Sequence, residues 1–263
     1  MRKGLTMRPV SRREFARGMG AAALLAGMPA IGARAGSGPT GVVELFTSQG
    51  CSSCPPADAV LRDLAAEPDV LALGYHVDYW DYLGWKDTLA SPENTARQRA
   101  YARALGSRAV YTPQAVVNGR DHLNGGKGSA IRSMLSRFAR GGQGLTVPVA
   151  IRSVGDRLAI AVGDGTKPAG HDTHLTLVYF STSTPVRIER GENAGRTVTY
   201  ANAVRSMQTL GMWDGKAMEL QLPGQKVADH KADGCAVLVQ AVTADGHPGP
   251  ILGAANLTGL TGA

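Results

Sequence analysis

The feature that most restricts how this chain can fold is a pair of cysteines, Cys51 and Cys54, between two contrasting segments. The run before the pair, Val42 to Phe46, is short and largely apolar, and it predicts a buried strand. After the pair, apolar residues at helical spacing predict an amphipathic helix that ends near Pro68. The polar side of this helix is predicted to carry Asp58, Arg62, Asp63 and Glu67. A Cys-x-x-Cys pair between a strand and a helix is typical of a reversible disulfide.

The predicted position of Cys51 at a helix N-terminus has a chemical consequence, because unpaired N–H groups and the helix dipole stabilise a thiolate there. The thiolate is the form of cysteine that attacks a disulfide. Cys54 lies one turn later and could then displace a partner bound to Cys51. Two other interpretations stay open at this point. The pair could be an inert structural disulfide, or it could belong to a metal site, although a zinc ribbon needs a second cysteine pair.

The rest of the chain shows two different patterns. Up to about residue 140, apolar runs alternate with helical periodicity and predict the order β–α–β–α–β–β–α. Gly141 to Gly144 then resembles a linker, and the turn-rich pattern beyond it predicts an antiparallel β-sandwich. The strands predicted there cover residues 145–151, 157–162, 173–180, 198–204, 218–222 and 236–242.

A second motif follows about sixty residues after the cysteines, where Tyr111-Thr112-Pro113-Gln114 leads into the third predicted strand. Together with the Asn-Gly turn after that strand, this segment resembles the one that carries a cis-proline in thioredoxins and glutaredoxins. The resemblance implies a cis peptide bond before Pro113. It also implies that Thr112 and Pro113 face the cysteines and hold the backbone of a substrate.

The wider sequence around the cysteines, Val43 to Asp58 followed by His76-Val77-Asp78-Tyr79-Trp80, resembles a family of secreted bacterial proteins catalogued as a domain of unknown function. This resemblance implies a thioredoxin-like fold but no particular substrate. We therefore expect a thioredoxin-like α/β domain over residues 36–141, followed by an antiparallel β-sandwich-like domain over residues 142–263. Gly50 replaces the tryptophan that precedes the first cysteine of thioredoxins, so the direction of electron flow stays open.

The N-terminal segment, residues 1–35, predicts export. It combines Arg12-Arg13, a weakly apolar stretch from Gly18 to Gly32 and a small-residue cleavage site at Ala33 to Ala35. These are features of a twin-arginine signal peptide, which would direct the protein to the periplasm or the exterior. A mitochondrial-type presequence or a plain basic tail is the alternative.

The same segment accounts for most of the basic character of the chain. It holds seven basic residues and one acidic residue, whereas the net charge of the whole chain is +7, so the rest is nearly neutral. A nucleic-acid partner is therefore not expected. A stable membrane anchor is not expected either, because no later apolar run is long enough to span a membrane.

Three further features outside the cysteine pair lead to predictions about individual residues. Thioredoxins have a buried acid on the strand that corresponds to Val42 to Phe46, so the resemblance implies that Glu44 accepts a proton from Cys54, unless strand alternation turns Glu44 towards solvent. The aromatic segment Tyr79 to Trp85 could contact substrate or fold back over its own core. Cys235 precedes an apolar strand and is predicted to be a free, buried thiol.

These features predict an exported thiol–disulfide oxidoreductase that acts on protein or small thiols and disulfides in the periplasm. Cys51 would attack and Cys54 would resolve, while Thr112 and Pro113 would position the substrate. This chemistry requires no bound cofactor and no metal, and the oligomeric state stays open. The alternative is a binding module or copper carrier on a thioredoxin scaffold, in which the cysteine pair is not catalytic or binds metal together with His76.

Overall fold

The computed structural model describes residues 38–224 and 229–260. The signal peptide predicted for residues 1–35 lies outside the described residues. The helices are α1 (Pro55–Ala65), α2 (Pro92–Ala104) and α3 (Gly128–Arg140). The strands are β1 (Gly41–Thr47), β2 (Val70–His76), β3 (Gln114–Val117), β4 (Asp121–Asn124), β5 (Val149–Val154), β6 (Arg157–Val162), β7 (Asp172–Arg187), β8 (Thr197–Met212), β9 (Met218–Pro223), β10 (Gly234–Val242) and β11 (Pro248–Thr258).

Proline and capping residues set the starts of the first two helices. α1 begins at Pro55-Pro56, which suits a first turn because the N–H groups there have no partner within the helix. α2 begins after Ser91, whose hydroxyl accepts a hydrogen bond from the Asn94 N–H at 3.2 Å. The succession of strands and helices predicted up to residue 140 is present, and it places the cysteines between β1 and α1.

The predicted fold class is wrong, because strands from both halves of the chain share one sheet. Eight strands form a mixed sheet in the order β11-β10-β7-β8-β2-β1-β3-β4. β2 runs parallel to β1 on one side and meets β8 on the other, where Gly74 lies opposite Ala203. The protein is therefore mostly β, and it is not a thioredoxin-like α/β domain followed by a β-sandwich. Pairing with β8 covers an edge of β2 that would otherwise leave backbone groups unpaired.

A three-stranded antiparallel sheet, β5-β6-β9, packs beside the large sheet. Leu158 and Ile160 of β6 share one buried apolar cluster with Leu177 of β7 and Val237 of β10. Cys235 belongs to the same cluster and is free and buried, which confirms the prediction for this residue.

The alternation of side chains along β1 decides which groups can approach the cysteines. Leu45 packs in the cluster that contains α1, whereas Phe46 packs against Tyr101 of α2. Because alternate side chains of a strand point to opposite faces, Thr47 lies on the α1 side and Glu44 lies on the α2 side.

β7 and β8 form a long antiparallel hairpin. Residues 188–196, which we call the β7–β8 loop, join its strands at the end of the sheet where the cysteines lie, since Asn193 of this loop contacts Cys51. Within the described part of the chain, no helix has both the length and the apolar character needed to cross a membrane.

Candidate functional site

Cys51 and Cys54 form a disulfide in the loop between β1 and α1, with 5.4 Å between their Cα atoms. We call this loop, residues 48–54, the cysteine loop. The Cys54 N–H donates to the Cys51 carbonyl, and the Ala57 N–H then donates to the Cys54 carbonyl as α1 begins. Both cysteines are buried, whereas Ser52 and Ser53 between them are exposed. The predicted strand, cysteine pair and helix are therefore present.

Hydroxyl groups lie close to the sulfur of Cys51. Thr112 Oγ1 donates to Cys51 Sγ at 3.3 Å, and Trp80 Nε1 donates in turn to Thr112 Oγ1 at 2.8 Å. The Ser53 hydroxyl lies 3.4 Å from the same sulfur. Such donors favour a thiolate, because hydrogen bonds to the charged form stabilise it. Among the described hydrogen bonds none reaches Cys54 Sγ, so the two sulfurs have different surroundings.

The peptide bond between Thr112 and Pro113 is cis, which confirms the expectation drawn from the resemblance. The Pro113 carbonyl accepts a hydrogen bond from the Gly125 N–H at 3.1 Å, which ties the start of β3 to the turn after β4. The structure thus brings Thr112 to Cys51. The role of Thr112 and Pro113 in holding a substrate stays a prediction.

Glu44 is buried, but it lies on the opposite face of the sheet from α1. Its carboxylate pairs with Arg97 of α2, with 2.8 Å between Oε1 and Nε, and it accepts a hydrogen bond from the Tyr101 hydroxyl. Arg97 also donates to the Gln240 side chain at 2.9 Å, so this network joins β1, α2 and β10. None of the described contacts joins Glu44 to Cys54, and the geometry gives no support to its predicted proton transfer.

Asp58, which the sequence pattern placed on the polar side of α1, is the buried acid next to Cys54. Its N–H donates to the Cys54 carbonyl at 3.0 Å, and side chains four residues apart on a helix are neighbours. Thr47 Oγ1 donates to Asp58 Oδ1 at 2.7 Å, whereas Oδ2 is buried and has no partner among the described residues. Burial raises the pKa of Asp58 to about 6, against the opposing effects of the Thr47 hydrogen bond and of His76. The spacing of four residues from Cys54 was the signal that could have identified it.

His76 is paired with Asp87, with 2.8 Å between Nδ1 and Oδ2, and both side chains are buried. Burial alone would lower the pKa of His76, but the Asp87 carboxylate outweighs it and the pKa is raised. Burial likewise acts to raise the pKa of Asp87, but His76 outweighs it and the pKa is lowered. Asp87 Oδ2 also accepts the Gln49 N–H at 2.7 Å, so the pair supports the loop that leads to Cys51.

Within residues 38–224 and 229–260, no group of three or more His, Cys, Asp or Glu side chains is placed to hold a metal ion. The predicted copper alternative relied on His76 as a ligand beside the cysteines. No described contact joins His76 to Cys51 or Cys54, and its Nδ1 atom is bonded to Asp87, so no observation supports that alternative.

The predicted aromatic segment largely folds back on the protein. Trp85 Nε1 donates to Gln49 Oε1 at 2.8 Å, just as Trp80 donates to Thr112. Tyr82 differs, because it is 77% exposed and stacks on Trp80 with 6.4 Å between ring centroids. The two tryptophans therefore position the cysteine loop and Thr112, and Tyr82 provides an exposed aromatic surface beside them.

The β7–β8 loop contacts the cysteines from the second half of the chain. Asn193, which is 2% exposed, donates through Nδ2 to the carbonyls of Gln49 and Cys51 at 3.0 and 2.9 Å. Glu192 Oε2 accepts the Ser52 N–H at 3.3 Å. The sequence shows a polar turn at this place, but no local pattern indicates that it reaches residues more than a hundred positions earlier.

The chain resembles two proteins of known structure. It is 48% identical to a protein of Agrobacterium tumefaciens with a crystal structure, at a TM-score of 0.77, over 84% of this chain and 95% of that one. HBP35 of Porphyromonas gingivalis is similar in fold at 14% identity and a TM-score of 0.57, over 84% of this chain and 75% of that one. No curated protein matches the chain. Residues 42–240 match the sequence profile of DUF1223, a family of proteins of unknown function. The chain therefore belongs to the DUF1223 family.

Proposed function

We propose that the protein is an exported thiol–disulfide oxidoreductase in which Cys51 and Cys54 alternate between a dithiol and a disulfide. The observation that carries this proposal is the hydrogen bond from Thr112 Oγ1 to Cys51 Sγ. A structural disulfide does not need a donor aimed at one of its sulfurs, whereas a nucleophilic cysteine does, because its thiolate is the reactive form. The cysteine pair lies directly before α1, with Cys54 as its N-cap residue, and this arrangement also supports a distant relationship to thioredoxins.

In the reducing direction, the Cys51 thiolate attacks one sulfur of a substrate disulfide. A bond forms between Cys51 Sγ and that sulfur, the substrate S–S bond breaks, and the other substrate sulfur leaves as a thiolate. Cys54 then attacks Cys51 Sγ, which restores the internal disulfide and releases the second substrate thiolate. Two electrons pass from the protein dithiol to the substrate disulfide. The reverse sequence oxidises a pair of substrate thiols.

The second attack requires Cys54 to lose its proton in a buried position. Asp58 is suited to accept it, because it follows Cys54 by one helical turn and its Oδ2 has no partner among the described residues. With its pKa raised by burial to about 6, the carboxylate of Asp58 is a base that is available at neutral pH. We therefore assign to Asp58 the role that the resemblance to thioredoxins implied for Glu44.

The proposed location is the periplasm or the cell exterior. The twin-arginine features of residues 1–35 support it. The disulfide supports it as well, since disulfides persist in oxidising compartments. The substrates would then be protein or small thiols and disulfides outside the cytoplasm.

The test is the reduction potential of the Cys51–Cys54 pair, measured by equilibrating the purified protein with glutathione buffers. Exchange proteins span roughly −270 to −120 mV, whereas structural disulfides lie below about −300 mV. A Cys54→Ser variant can form a mixed disulfide through Cys51 but cannot release it, so it traps substrates. Cys51→Ser is the matched control and should trap none. A potential below about −300 mV with no trapped partner would show that the pair is structural.

A further inference from the structure

The β7–β8 loop is held at two points, one on the cysteine loop and one on the aromatic segment. Asn193 Nδ2 bonds to the carbonyls of Gln49 and Cys51 from a buried position. Removing such a donor would leave buried carbonyl groups with fewer partners, which is unfavourable. Gly191 is the second point: its φ is +78°, and a Cβ added there would lie 3.3 Å from Trp85 Cβ. The loop is thus packed against the aromatic segment as well as against the cysteine loop.

Glu192 lies between these two points. Its Oε2 accepts the Ser52 N–H at 3.3 Å, so the carboxylate is held beside the residue that follows Cys51. Among the described charged side chains, Glu192 is the one hydrogen-bonded to residues 51–54. Its partner is a neutral N–H group, and no described ion pair joins it to a cation, although the same loop also carries Arg190 and Arg196. Glu192 is also exposed, and a substrate that approaches Cys51 therefore meets a fixed negative charge.

We propose that Glu192 is a specificity-determining residue that favours positively charged thiols and disulfides as substrates, which rests on the oxidoreductase function proposed above. The physical basis is the Coulomb interaction, which attracts a cation and repels an anion both in the encounter and in the mixed disulfide with Cys51. Near a protein surface, one unit charge several ångströms away changes a rate by about threefold, and salt weakens the effect.

The reaction that reports this preference is the reduction of a small disulfide by the reduced protein. Cys51 forms the mixed disulfide and releases one small thiolate, and Cys54 displaces the other. Three disulfides of similar size differ mainly in charge: cystamine is cationic, hydroxyethyl disulfide is neutral, and dithiodipropionate is anionic. The ratio of the cystamine rate to the dithiodipropionate rate cancels any change in the intrinsic reactivity of Cys51.

Glu192→Gln is the informative variant, because its amide oxygen can still accept the Ser52 N–H while the charge is lost. We expect the rate ratio to fall about three- to tenfold at low salt, and the difference from wild type to shrink at high salt. Glu189→Gln is the matched control, since Glu189 is an exposed acid of the same loop with no described hydrogen bond to the cysteine loop. The control should change the ratio by less than about twofold.

The outcomes separate the two proposals. If Glu192→Gln keeps the wild-type ratio while all three disulfides are still reduced, the role of Glu192 is overturned and the proposed function stands. An equal fall in Glu189→Gln would attribute the preference to diffuse surface charge and would also overturn it. If the wild-type dithiol reduces none of the three disulfides, the oxidoreductase function itself fails, and the preference fails with it.

Discussion

Replacing Asp58 by asparagine should make the protein more stable and less active at neutral pH. A rise in pKa from 3.8 to about 6 on folding corresponds to about 3 kcal/mol of unfavourable free energy when the carboxylate is ionised. The amide keeps an oxygen for the Thr47 hydroxyl, but it buries an NH₂ group without a partner, which costs roughly 1 to 2 kcal/mol. The free energy of unfolding should therefore rise by about 1 to 2 kcal/mol in Asp58→Asn.

The increase in the free energy of unfolding that we expect for Asp58→Asn depends on pH. Folded wild-type protein retains the Asp58 proton up to about pH 6, whereas the unfolded chain loses it near 3.8. The contribution of Asp58 to the free energy of unfolding therefore falls as the pH rises through this interval. Asp58→Asn does not titrate at this position and lacks the fall. Its advantage should be largest above about pH 6, vanish between about pH 6 and pH 4, and become a deficit of about 1 to 2 kcal/mol below about pH 4, where only the cost of the buried NH₂ group remains.

Urea unfolding of the oxidised proteins at about pH 7.5 and about pH 4 measures this difference. The rate at which Cys54 displaces a small thiol from Cys51 measures the proton transfer, and it should fall about tenfold to a hundredfold at neutral pH. Asp63→Asn, which removes an exposed acid from the same helix, should change neither quantity. If the stability difference between Asp58→Asn and wild type were the same at both pH values, the buried carboxylate would not be ionised as argued. An unchanged displacement rate would remove Asp58 from the proton transfer.

Three further outcomes follow from the contacts. Thr112→Val removes the hydroxyl that donates to Cys51 Sγ, so alkylation of reduced Cys51 by iodoacetamide at neutral pH should slow about tenfold, while Thr112→Ser should react like wild type. Arg97→Met leaves the buried carboxylate of Glu44 without its cation and should lower the free energy of unfolding by about 3 to 5 kcal/mol in urea, with partial recovery when Glu44→Gln is added. Burial raises the pKa of Cys235 to about 12, so thiol reagents near pH 8 should label it only after unfolding; labelling of the native, disulfide-bonded protein would contradict its burial.

The features that could be predicted from the sequence depend on residues that are close together in the chain. The short apolar run, the cysteine pair and the prolines after Cys54 act within about fifteen residues, so the local pattern identifies strand, loop and helix start. The cis bond before Pro113 followed from a short motif with a known conformation. The burial of Cys235 followed from the apolar strand in which it lies.

The fold class was not predictable in the same way, because it depends on which strands become neighbours. β2 and β8 are separated by more than a hundred residues, and nothing in either strand marks the other as its partner. β11 was missed for a different reason: Pro248-Gly249-Pro250 has the composition of a turn, yet the strand begins there. β11 lies at the edge of the sheet, where proline is tolerated because one side of the strand needs no hydrogen bonds to a neighbour.

Long-range packing also explains why the sequence indicated Glu44, and not Asp58, as the proton acceptor for Cys54. The acid on the strand was expected to face the cysteines, but alternation along β1 turns Glu44 to the side of α2. Asp58 was expected on the polar side of the helix, but α1 packs against β2 and β8, and Asp58 is buried. Tyr200 of β8 packs edge-on against His76, and burial together with Asp58 and Asp87 raises the pKa of this tyrosine.

The β7–β8 hairpin thus contacts the candidate site at two places, and both contacts depend on the shared sheet. β8 packs against α1, the helix that carries the buried Asp58, while the loop at the end of the same hairpin holds the Cys51 carbonyl through Asn193. The Asn193 amide nitrogen lies 2.9 Å from the Cys51 carbonyl oxygen. If the second half of the chain were a separate domain on a flexible linker, holding this contact would cost the orientational freedom of that domain. Because β8 is joined to β2 within one sheet, the position of the loop is set by strand pairing. The sheet that contradicts the predicted fold class is therefore also what allows a residue such as Glu192 to influence chemistry at Cys51.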